Sequence, residues 1–189
     1  MRIPRTYISL FSRFNRKRKL KFIEKYIRKN NINHCLIVGA TPLFSNQMFE
    51  NLIERQIEQL CEHTIFSGLE NDGGDWPNWV QANGLNLPFK DKEFDLVISN
   101  AVIEHVGQKQ EQRSFIHEHA RVGKHWIVTT PNRLFPVESH TGKLFVHMRK
   151  SWTHESYSRI LTKKELLEIL PTPGRVKGNL ISPTFIAYD

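Results

Sequence analysis

The sequence lacks the features of several protein classes. No apolar run approaches the roughly 18 residues that a membrane-spanning helix requires, which argues against an integral membrane protein. The 189 residues include only two cysteines, Cys35 and Cys61, and their separation fits neither a metal site nor a redox motif. Both lie in apolar contexts, which predicts buried free thiols in a reducing compartment. The nine histidines show no HExxH or Cys/His spacing, so we expect no metal dependence.

Acidic residues are scarce near the N-terminus. Residues 1–28 hold ten Lys or Arg against one acid, Glu24, whereas residues 29–189 hold 17 basic and 18 acidic residues. The net charge of +8 therefore belongs to an N-terminal arm and not to the body. Apolar residues recur through this arm at helical spacing, at Ile3, Tyr7, Leu10, Phe11, Phe14, Leu20, Ile23 and Ile27.

This pattern predicts a basic amphipathic helical arm over residues 1–30, followed by one domain over residues 31–189. Such a helix suits an anionic membrane surface or nucleic-acid phosphates, and it equally suits a helix whose apolar stripe packs on the body. An Arg-rich organellar transit peptide stays open as an alternative, whereas no apolar h-region supports a secretory signal. We expect a cytoplasmic protein, peripheral at the inner membrane surface if the arm binds lipid.

The body alternates apolar strands with helices. Short, bounded apolar runs predict five strands and the tail predicts two more, at 34–39, 64–69, 79–82, 94–99, 125–130 and within 175–188. Helical periodicity predicts helices over 46–61, 108–121 and 162–170. Ser45 would cap the first of these, and Thr162 with Glu165 would form a capping box on the last. This order predicts an α/β, doubly wound, mostly parallel sheet, whose ligands bind just after the strands.

Two segments carry a family likeness. They are LPFKDKEFDLVISNAVIEHV at 87–106 and TTPNRLFPVESHT at 129–141. Together with the strand ends, they make residues 34–189 resemble the class I S-adenosylmethionine-dependent methyltransferases, in a small bacterial, type 11-like branch. The resemblance implies a Rossmann-like, seven-stranded sheet whose last strand runs antiparallel, with S-adenosyl-L-methionine as the cofactor.

The resemblance assigns part of the cofactor site to the turn GATPLFSN, which follows the first predicted strand. Gly39, Ala40 and Thr41 would lie against the methionine part of the cofactor. Thr41 and Leu43 stand where the family usually has glycines, and Pro42 removes an amide donor. This turn is therefore the largest departure from the family pattern.

The resemblance assigns the adenosine part to the next two strand ends. Glu70, with Asp72 as the fallback, would accept hydrogen bonds from both ribose hydroxyls, since a carboxylate can accept two at once. Asn83 would accept from the adenine amino group, and the backbone of Gly84 and Leu85 would flank the ring. The alternatives are a solvated acidic turn and an ordinary turn after a strand.

The connection between the second and third predicted strands is short. Only ten residues separate Glu70 from Val80, and the segment between them is rich in Gly and Pro. A parallel crossover normally needs a dozen or more residues, so the usual helix is missing here. We expect Trp76 or Trp79 to fill the resulting gap, although either ring could instead cover the adenine.

The methyl-transfer end of the site falls after the fourth predicted strand. By the resemblance, Ser99, Asn100 and Ala101 would line the floor beneath the sulfonium. Glu104 and His105 open the following connection, where His105 would fix the loop and serve only as a reserve base.

An acceptor that is a hydroxyl or a protonated amine requires a general base. The candidates are Asn132, Glu138 and His140, in the loop after the fifth predicted strand. His105 is a weaker candidate. In the alternative interpretation, Asn132 caps a turn, and Glu138 and His140 tie the loop down.

These features predict a methyltransferase that acts by in-line displacement on a small-molecule or a lipid- or glycan-linked acceptor. The alternative is a non-catalytic binding or scaffold protein whose altered turn no longer holds the cofactor. An RNA-binding methyltransferase is a third hypothesis, but SNAV lacks the Asn-Pro-Pro-aromatic run typical of enzymes that modify bases, so nucleic acid is the weaker partner. The absence of G-x-G-x-x-G argues against a nicotinamide-binding dehydrogenase.

Overall fold

The computed structural model describes residues 5–43, 51–138, 143–148 and 157–189, with side chains from residue 12 onward. These residues contain one seven-stranded sheet in the order β3-β2-β1-β4-β5-β7-β6. Its strands are β1 (His34–Val38), β2 (His63–Gly68), β3 (Trp79–Gln81), β4 (Phe94–Asn100), β5 (Gly123–Pro131), β6 (Arg175–Lys177) and β7 (Thr184–Tyr188). Strands β1 to β5 run parallel, and β7 lies antiparallel between β5 and β6. The predicted fold class is confirmed, including the antiparallel last strand.

Helices cover both faces of the sheet. They are α1 (Arg5–Asn30), α2 (Leu52–Leu60), α3 (Lys109–Val122) and α4 (Lys163–Leu167), with short 3-10 turns at Ile103–His105 and Val146–Met148. The capping box on α4 is confirmed, because the Thr162 amide donates to Glu165 Oε2 at 2.8 Å and the Glu165 amide donates to Thr162 Oγ1 at 3.3 Å. The predicted start of α2 at Ser45 lies outside the described residues.

The core consists of two apolar layers, one on each side of the sheet. In β1, Leu36 and Val38 join the layer under α3, whereas Cys35 and Ile37 join the layer under α1 and α2. This follows from the alternation of side chains along a strand. Cys35 and Cys61 are buried and unbridged, as predicted.

Helix α1 packs on the body through its second half. Ile23 is completely buried and Ile27 is 3% exposed, and both belong to the layer shared with α2. Phe14, which belongs to the earlier apolar stripe of the helix and is out of phase with Ile23 and Ile27, is 66% exposed. The body-packing interpretation therefore holds for the C-terminal half of the helix, and the division into an arm and a domain stays a prediction.

Two tryptophans occupy the place of the missing helix between β2 and β3. Trp76 is 5% exposed and stacks on Phe66, with ring centroids 4.1 Å apart and planes inclined by 15°. Trp79 covers Gly73 so closely that an added Cβ there would lie 2.3 Å from the indole ring. The interpretation that these rings fill a gap is confirmed.

Candidate active site

A cavity of about 420 Å³ lies at the carboxyl ends of β1, β2 and β3. The turns after these strands, the segment after β4 and the inner face of α3 form its wall. Its volume falls within the range of small-ligand pockets. Eight residues singled out in the sequence line it, namely Gly39, Ala40, Thr41, Glu70, Asn83, Gly84, Leu85 and His105. Their individual contacts with a ligand stay predictions.

The turn after β1 is bent onto β2. The amides of Gly39 and Ala40 both donate to the Ser67 carbonyl, at 2.8 and 2.9 Å. Gly39 has φ +74°, and an added Cβ there would lie 2.6 Å from the Val102 side chain. Glycine is therefore required at this position both for its conformation and for the close approach of the segment after β4.

Two altered residues of this turn, Pro42 and Leu43, lie outside the cavity wall. Leu43 is 5% exposed and points into the core layer shared with α2. Its amide donates to the Gly73 carbonyl at 2.9 Å, and its carbonyl accepts from the Asp75 amide at 2.7 Å. Pro42 is also buried, and neither Pro42 nor Leu43 belongs to the cavity wall. Among the described residues of the altered turn, Pro42 and Leu43 thus do not fill the cavity.

Glu70 lies at the exposed rim of the cavity, directly after β2. Its Oε2 atom is 2.9 Å from the position that a Cβ on Gly68 would take, so the carboxylate lies over that glycine. The indole nitrogen of Trp79 donates to the Glu70 carbonyl at 3.1 Å and holds the backbone. Asp72, the fallback acid, is outside the cavity wall and accepts instead from the Gly74 amide at 2.8 Å.

The opposite end of the cavity is formed by the turn after β3. Asn83 Oδ1 accepts from the Leu85 amide at 3.0 Å, which leaves this oxygen one further lone pair. Gly84 permits a close approach of α3, because an added Cβ would lie 2.4 Å from the Phe115 ring. Leu85 and Phe115 give this end an apolar lining suited to a flat ring.

Ser99 and Asn100 are not part of the cavity wall, contrary to expectation. Ser99 is completely buried. The Asn100 side chain is already engaged, because its Oδ1 accepts from Lys19 Nζ at 2.6 Å and from Thr129 Oγ1 at 2.9 Å. Its Nδ2 donates to Glu54 Oε1 at 2.9 Å. Asn100 therefore ties α1 and α2 to the end of β4.

Two ionisable groups near this tie are almost completely buried. Lys19 is 6% exposed, and burial lowers its pKa to about 8 against the opposing attraction of Glu54 and Glu104. Glu104 is 1% exposed, and burial raises its pKa to about 7 although Thr130 Oγ1 donates to it at 3.2 Å. Sequence reasoning missed Lys19. Lys19 lies four and eight residues before the buried Ile23 and Ile27, and this spacing places all three on one face of a helix. The spacing could therefore have indicated that Lys19 is buried.

Two predicted catalytic residues, His105 and Glu138, both contact the side chain of Tyr157. The His105 ring, in the cavity wall, stacks on Tyr157 with centroids 5.5 Å apart and planes inclined by 12°. The Tyr157 hydroxyl donates to Glu138 Oε1 at 3.5 Å, and Glu138 is 2% exposed. No local motif marked Tyr157 in the sequence. His140, the third candidate in this group, lies outside the described residues.

Asn132 has a structural role. Its Oδ1 accepts from the Leu134 amide at 2.9 Å, and its side-chain amide donates to three carbonyls of the β6–β7 connection, those of Asn179, Leu180 and Ser182, at 3.4, 3.1 and 2.9 Å. A side-chain amide engaged in this way cannot take a proton from an acceptor. The prediction of Asn132 as a base is replaced by the alternative in which it holds a turn.

The described part of the chain contains neither a metal-ligand cluster nor a membrane-spanning helix. No three His, Cys, Asp or Glu side chains come together there as a metal site would require. None of the described helices combines the length and the apolar character needed to cross a membrane.

Comparisons with known proteins agree with this architecture. Residues 48–125 match a family model described as a methyltransferase domain. The chain is similar in structure to the N-methyltransferase NodS from Bradyrhizobium japonicum, with a TM-score of 0.59 and 11% identity, over 93% of this chain and 94% of that one. No curated protein sequence gives a significant match.

Two further solved structures share the fold. The magnesium protoporphyrin IX methyltransferase from Synechocystis, with bound SAH, has a TM-score of 0.57 and 11% identity, over 93% of this chain and 83% of that one. A SAM dependent methyltransferase from Aquifex aeolicus has a TM-score of 0.53 and 12% identity, over 87% of each chain.

Proposed function

We propose that this chain, which matches a methyltransferase domain over residues 48–125 and has a seven-stranded α/β fold, is an S-adenosylmethionine-dependent methyltransferase that methylates a small-molecule or a lipid- or glycan-linked acceptor. The observation that carries the proposal is the open cavity at the ends of β1, β2 and β3, whose wall contains seven of the nine residues assigned to the cofactor. The methyl transfer is an in-line displacement, in which the protein mainly aligns the reacting groups.

The residues of the cavity fit the cofactor. Glu70 offers two carboxylate oxygens at the rim, which suit the two hydroxyls of a ribose. Leu85 and Phe115 line the far end with apolar surface for the adenine ring, and the Asn83 oxygen there can still accept a bond. The turn from Gly39 to Thr41 borders the remaining end of the cavity. Bound there, S-adenosylmethionine supplies an electrophilic methyl group on a sulfonium.

His105 is the base in this proposal when the acceptor carries a proton that must leave. The imidazole lies in the cavity wall, and its stacking on Tyr157 fixes the plane of the ring. A ring nitrogen of His105 would take that proton as the acceptor bonds to the methyl carbon and the methyl–sulfur bond of the sulfonium breaks, with the neutral thioether as the leaving group. Glu138 holds Tyr157 through its hydroxyl and so acts as a positioning residue. A base of this kind contributes about 10²- to 10⁴-fold in rate.

Calorimetric titration with S-adenosylmethionine tests the cofactor site. Glu70→Ala removes two charge-assisted hydrogen bonds of about 1.5 kcal/mol each, so we expect about 100-fold weaker binding. Asp72→Ala, which removes an acid two residues away, is the matched control and should bind nearly as the wild type does. If the wild type fails to bind the cofactor, the scaffold alternative replaces this proposal; if Glu70→Ala binds normally, the role given to Glu70 is wrong.

Transfer of a labelled methyl group tests the acceptor. The chain is incubated with methyl-labelled S-adenosylmethionine and a cell extract, and the products are separated into lipid, water-soluble and nucleic-acid fractions. We expect label in the lipid or the small-molecule fraction, and label confined to RNA would contradict the proposal. His105→Asn should keep cofactor binding and lose at least about 100-fold in label incorporation if the acceptor is protonated.

A further inference from the structure

The turn between β6 and β7 presents two large apolar side chains to solvent. Leu180 is 68% exposed and Ile181 is 79% exposed. They occupy the central positions of a turn that the Ser182 amide closes by donating to the Asn179 carbonyl at 3.0 Å. Tight turns favour Gly, Pro, Asn, Asp and Ser at such positions, so turn geometry does not explain two aliphatic residues there.

The turn is firmly held. The Asn179 amide donates to Ser182 Oγ at 3.0 Å, and this hydroxyl donates back to Asn179 Oδ1 at 3.0 Å. From below, the buried Asn132 amide group donates to three carbonyls of the turn. Because the backbone is fixed on both sides, Leu180 and Ile181 project in a defined direction rather than folding back onto the body.

Helix α1 brings a third exposed apolar residue to this turn. Arg18 Nη2 donates to the Thr184 carbonyl at 2.7 Å and to its hydroxyl at 3.1 Å. The same hydroxyl donates to Asn15 Oδ1 at 3.0 Å. Phe14, 66% exposed, precedes Asn15 and lies one helical turn before Arg18, on the same side of the helix. Phe14 therefore lies within one helical turn of the contact that α1 makes with Thr184, the first residue of β7, which follows the segment that carries Leu180 and Ile181.

The surroundings of these apolar side chains are basic. Arg13 and Lys17 are exposed and flank Phe14 on α1, and residues 1–23 contain no Asp or Glu. The turn itself, residues 178–184, carries no charged residue. Exposed apolar side chains with cations on the neighbouring helix match the combination of acyl chains and anionic headgroups at a lipid surface, whereas phosphate recognition alone gives the apolar side chains no role.

We propose that three apolar and two basic side chains form a docking face for an anionic lipid bilayer, namely Phe14, Leu180, Ile181, Arg13 and Lys17. The apolar side chains enter the boundary between headgroups and acyl chains, and the basic side chains contact the headgroups. The membrane contact does not depend on the proposed methyl transfer; only its consequence for the acceptor rests on that function.

The docking face lies on the same edge of the sheet as the cavity. Thr184, at the start of β7, pairs with Pro131 at the carboxyl end of β5, so the β6–β7 turn extends from the edge where β1, β2 and β3 open into the cavity. In the sheet order, β7 is three strands from β1, which is about 15 Å at 4.8 Å per strand. A bilayer on this face would bring a lipid-linked acceptor close to the methyl-transfer end of the site.

Co-sedimentation of the full chain with vesicles tests the docking face. Vesicles of phosphatidylcholine alone are compared with vesicles that also contain phosphatidylglycerol, and we expect binding only to the latter. The double substitution Leu180→Ser and Ile181→Ser should weaken partitioning at least about tenfold, because two buried aliphatic side chains are lost. Lys17→Gln should weaken it about fivefold, the usual effect of one cation near an anionic surface.

Two matched controls separate this face from general properties of the chain. Leu167→Ser removes an aliphatic side chain that is 47% exposed on α4, and it should leave partitioning unchanged. Lys25→Gln removes an exposed cation about 12 Å further along α1 from Lys17, and it should have a smaller effect than Lys17→Gln. Circular dichroism and cofactor titration of every variant report whether the fold is intact.

Several results would overturn the proposal. These are no sedimentation with anionic vesicles, equal losses for Lys17→Gln and Lys25→Gln, or a self-associating chain that becomes monomeric when Leu180 and Ile181 are replaced. Retention on RNA that survives the replacement of Leu180 and Ile181, without vesicle binding, assigns the basic residues to nucleic acid. Cofactor binding without vesicle binding refutes the docking face alone, and the reverse result refutes the proposed function alone.

Discussion

Replacing Glu104 by Gln tests the most deeply buried carboxyl group near the candidate active site. Glu104 is 1% exposed and immediately precedes His105 of the cavity wall. Burial raises its pKa from the ordinary 4.5 to about 7, against the opposing effects of Lys19 and Thr130. A Gln side chain keeps the shape and an acceptor for the Thr130 hydroxyl, but it cannot ionise. The variant therefore isolates the cost of the buried negative charge.

The expected size follows from the pKa. A carboxyl group whose pKa is raised by folding contributes stability that is fully present below its unfolded pKa and is lost as pH rises through the folded value. For Glu104 this interval runs from 4.5 to about 7. At 1.36 kcal/mol per pH unit it corresponds to about 3 kcal/mol, of which about 2 kcal/mol is lost between about pH 5 and about pH 7. The unfolding free energy of the wild type should fall by this amount relative to Glu104→Gln.

Chemical denaturation followed by circular dichroism measures the effect. The useful quantity is the difference in unfolding free energy between variant and wild type at each pH below about 7, because the ionisable groups that do not interact with Glu104 cancel in it and Lys19, whose pKa is about 8, stays charged. Glu62→Gln, which makes the same substitution at an exposed carboxyl group, is the control for effects of the Glu-to-Gln change that do not depend on burial. If the Glu104→Gln difference stays constant within about 0.5 kcal/mol, the reasoning about this buried charge is refuted.

Two further predictions concern stability. Lys19→Met removes a buried amine whose pKa is lowered from 10.5 to about 8. The unfolding free energy of the wild type should therefore rise by up to about 3 kcal/mol relative to the variant as pH rises through this interval. Unfolding free energies that differ by the same amount at every pH would contradict this. Thr162→Ala removes the side-chain acceptor of the α4 capping box and should lower the unfolding free energy by about 1 kcal/mol at neutral pH, whereas an unchanged denaturation midpoint would show that the cap contributes nothing.

The strands could be predicted because each buried strand is a run of apolar residues that is visible in the local sequence. The runs HCLIVG and FDLVIS carry apolar residues for both faces of the sheet, and the structure has β1 and β4 at those places. The resemblance carried by the segments 87–106 and 129–141 is likewise consistent with the matched domain and the fold. The turns that form the cavity wall could be predicted from the strand positions, because the ends of parallel strands determine which turns lie together at one edge of the sheet.

Side-chain partners from distant parts of the chain could not be predicted. The sequence shows that Asn100 ends a strand, but its orientation depends on Lys19 and Glu54, which lie 81 and 46 residues away. Asn132 has the composition of a polar active-site residue, and only the position of the β6–β7 turn reveals that its amide is occupied. The exposure of Leu180 likewise depends on this tertiary anchoring, because the segment GNLISPT by itself reads as an ordinary turn.

The docking of α1 on the body brings together residues that are synthesised at very different times during translation. The Tyr26 hydroxyl donates to Asp189 Oδ1 at 2.9 Å, across 163 residues of chain. At about 5–20 residues per second, translation needs about 8–30 s to deliver that partner. Throughout this delay the stripe that contains Ile23 and Ile27 has no completed sheet to cover. A nascent, cationic amphipathic helix is thus available to chaperones and to lipid before the domain that later covers it has been synthesised.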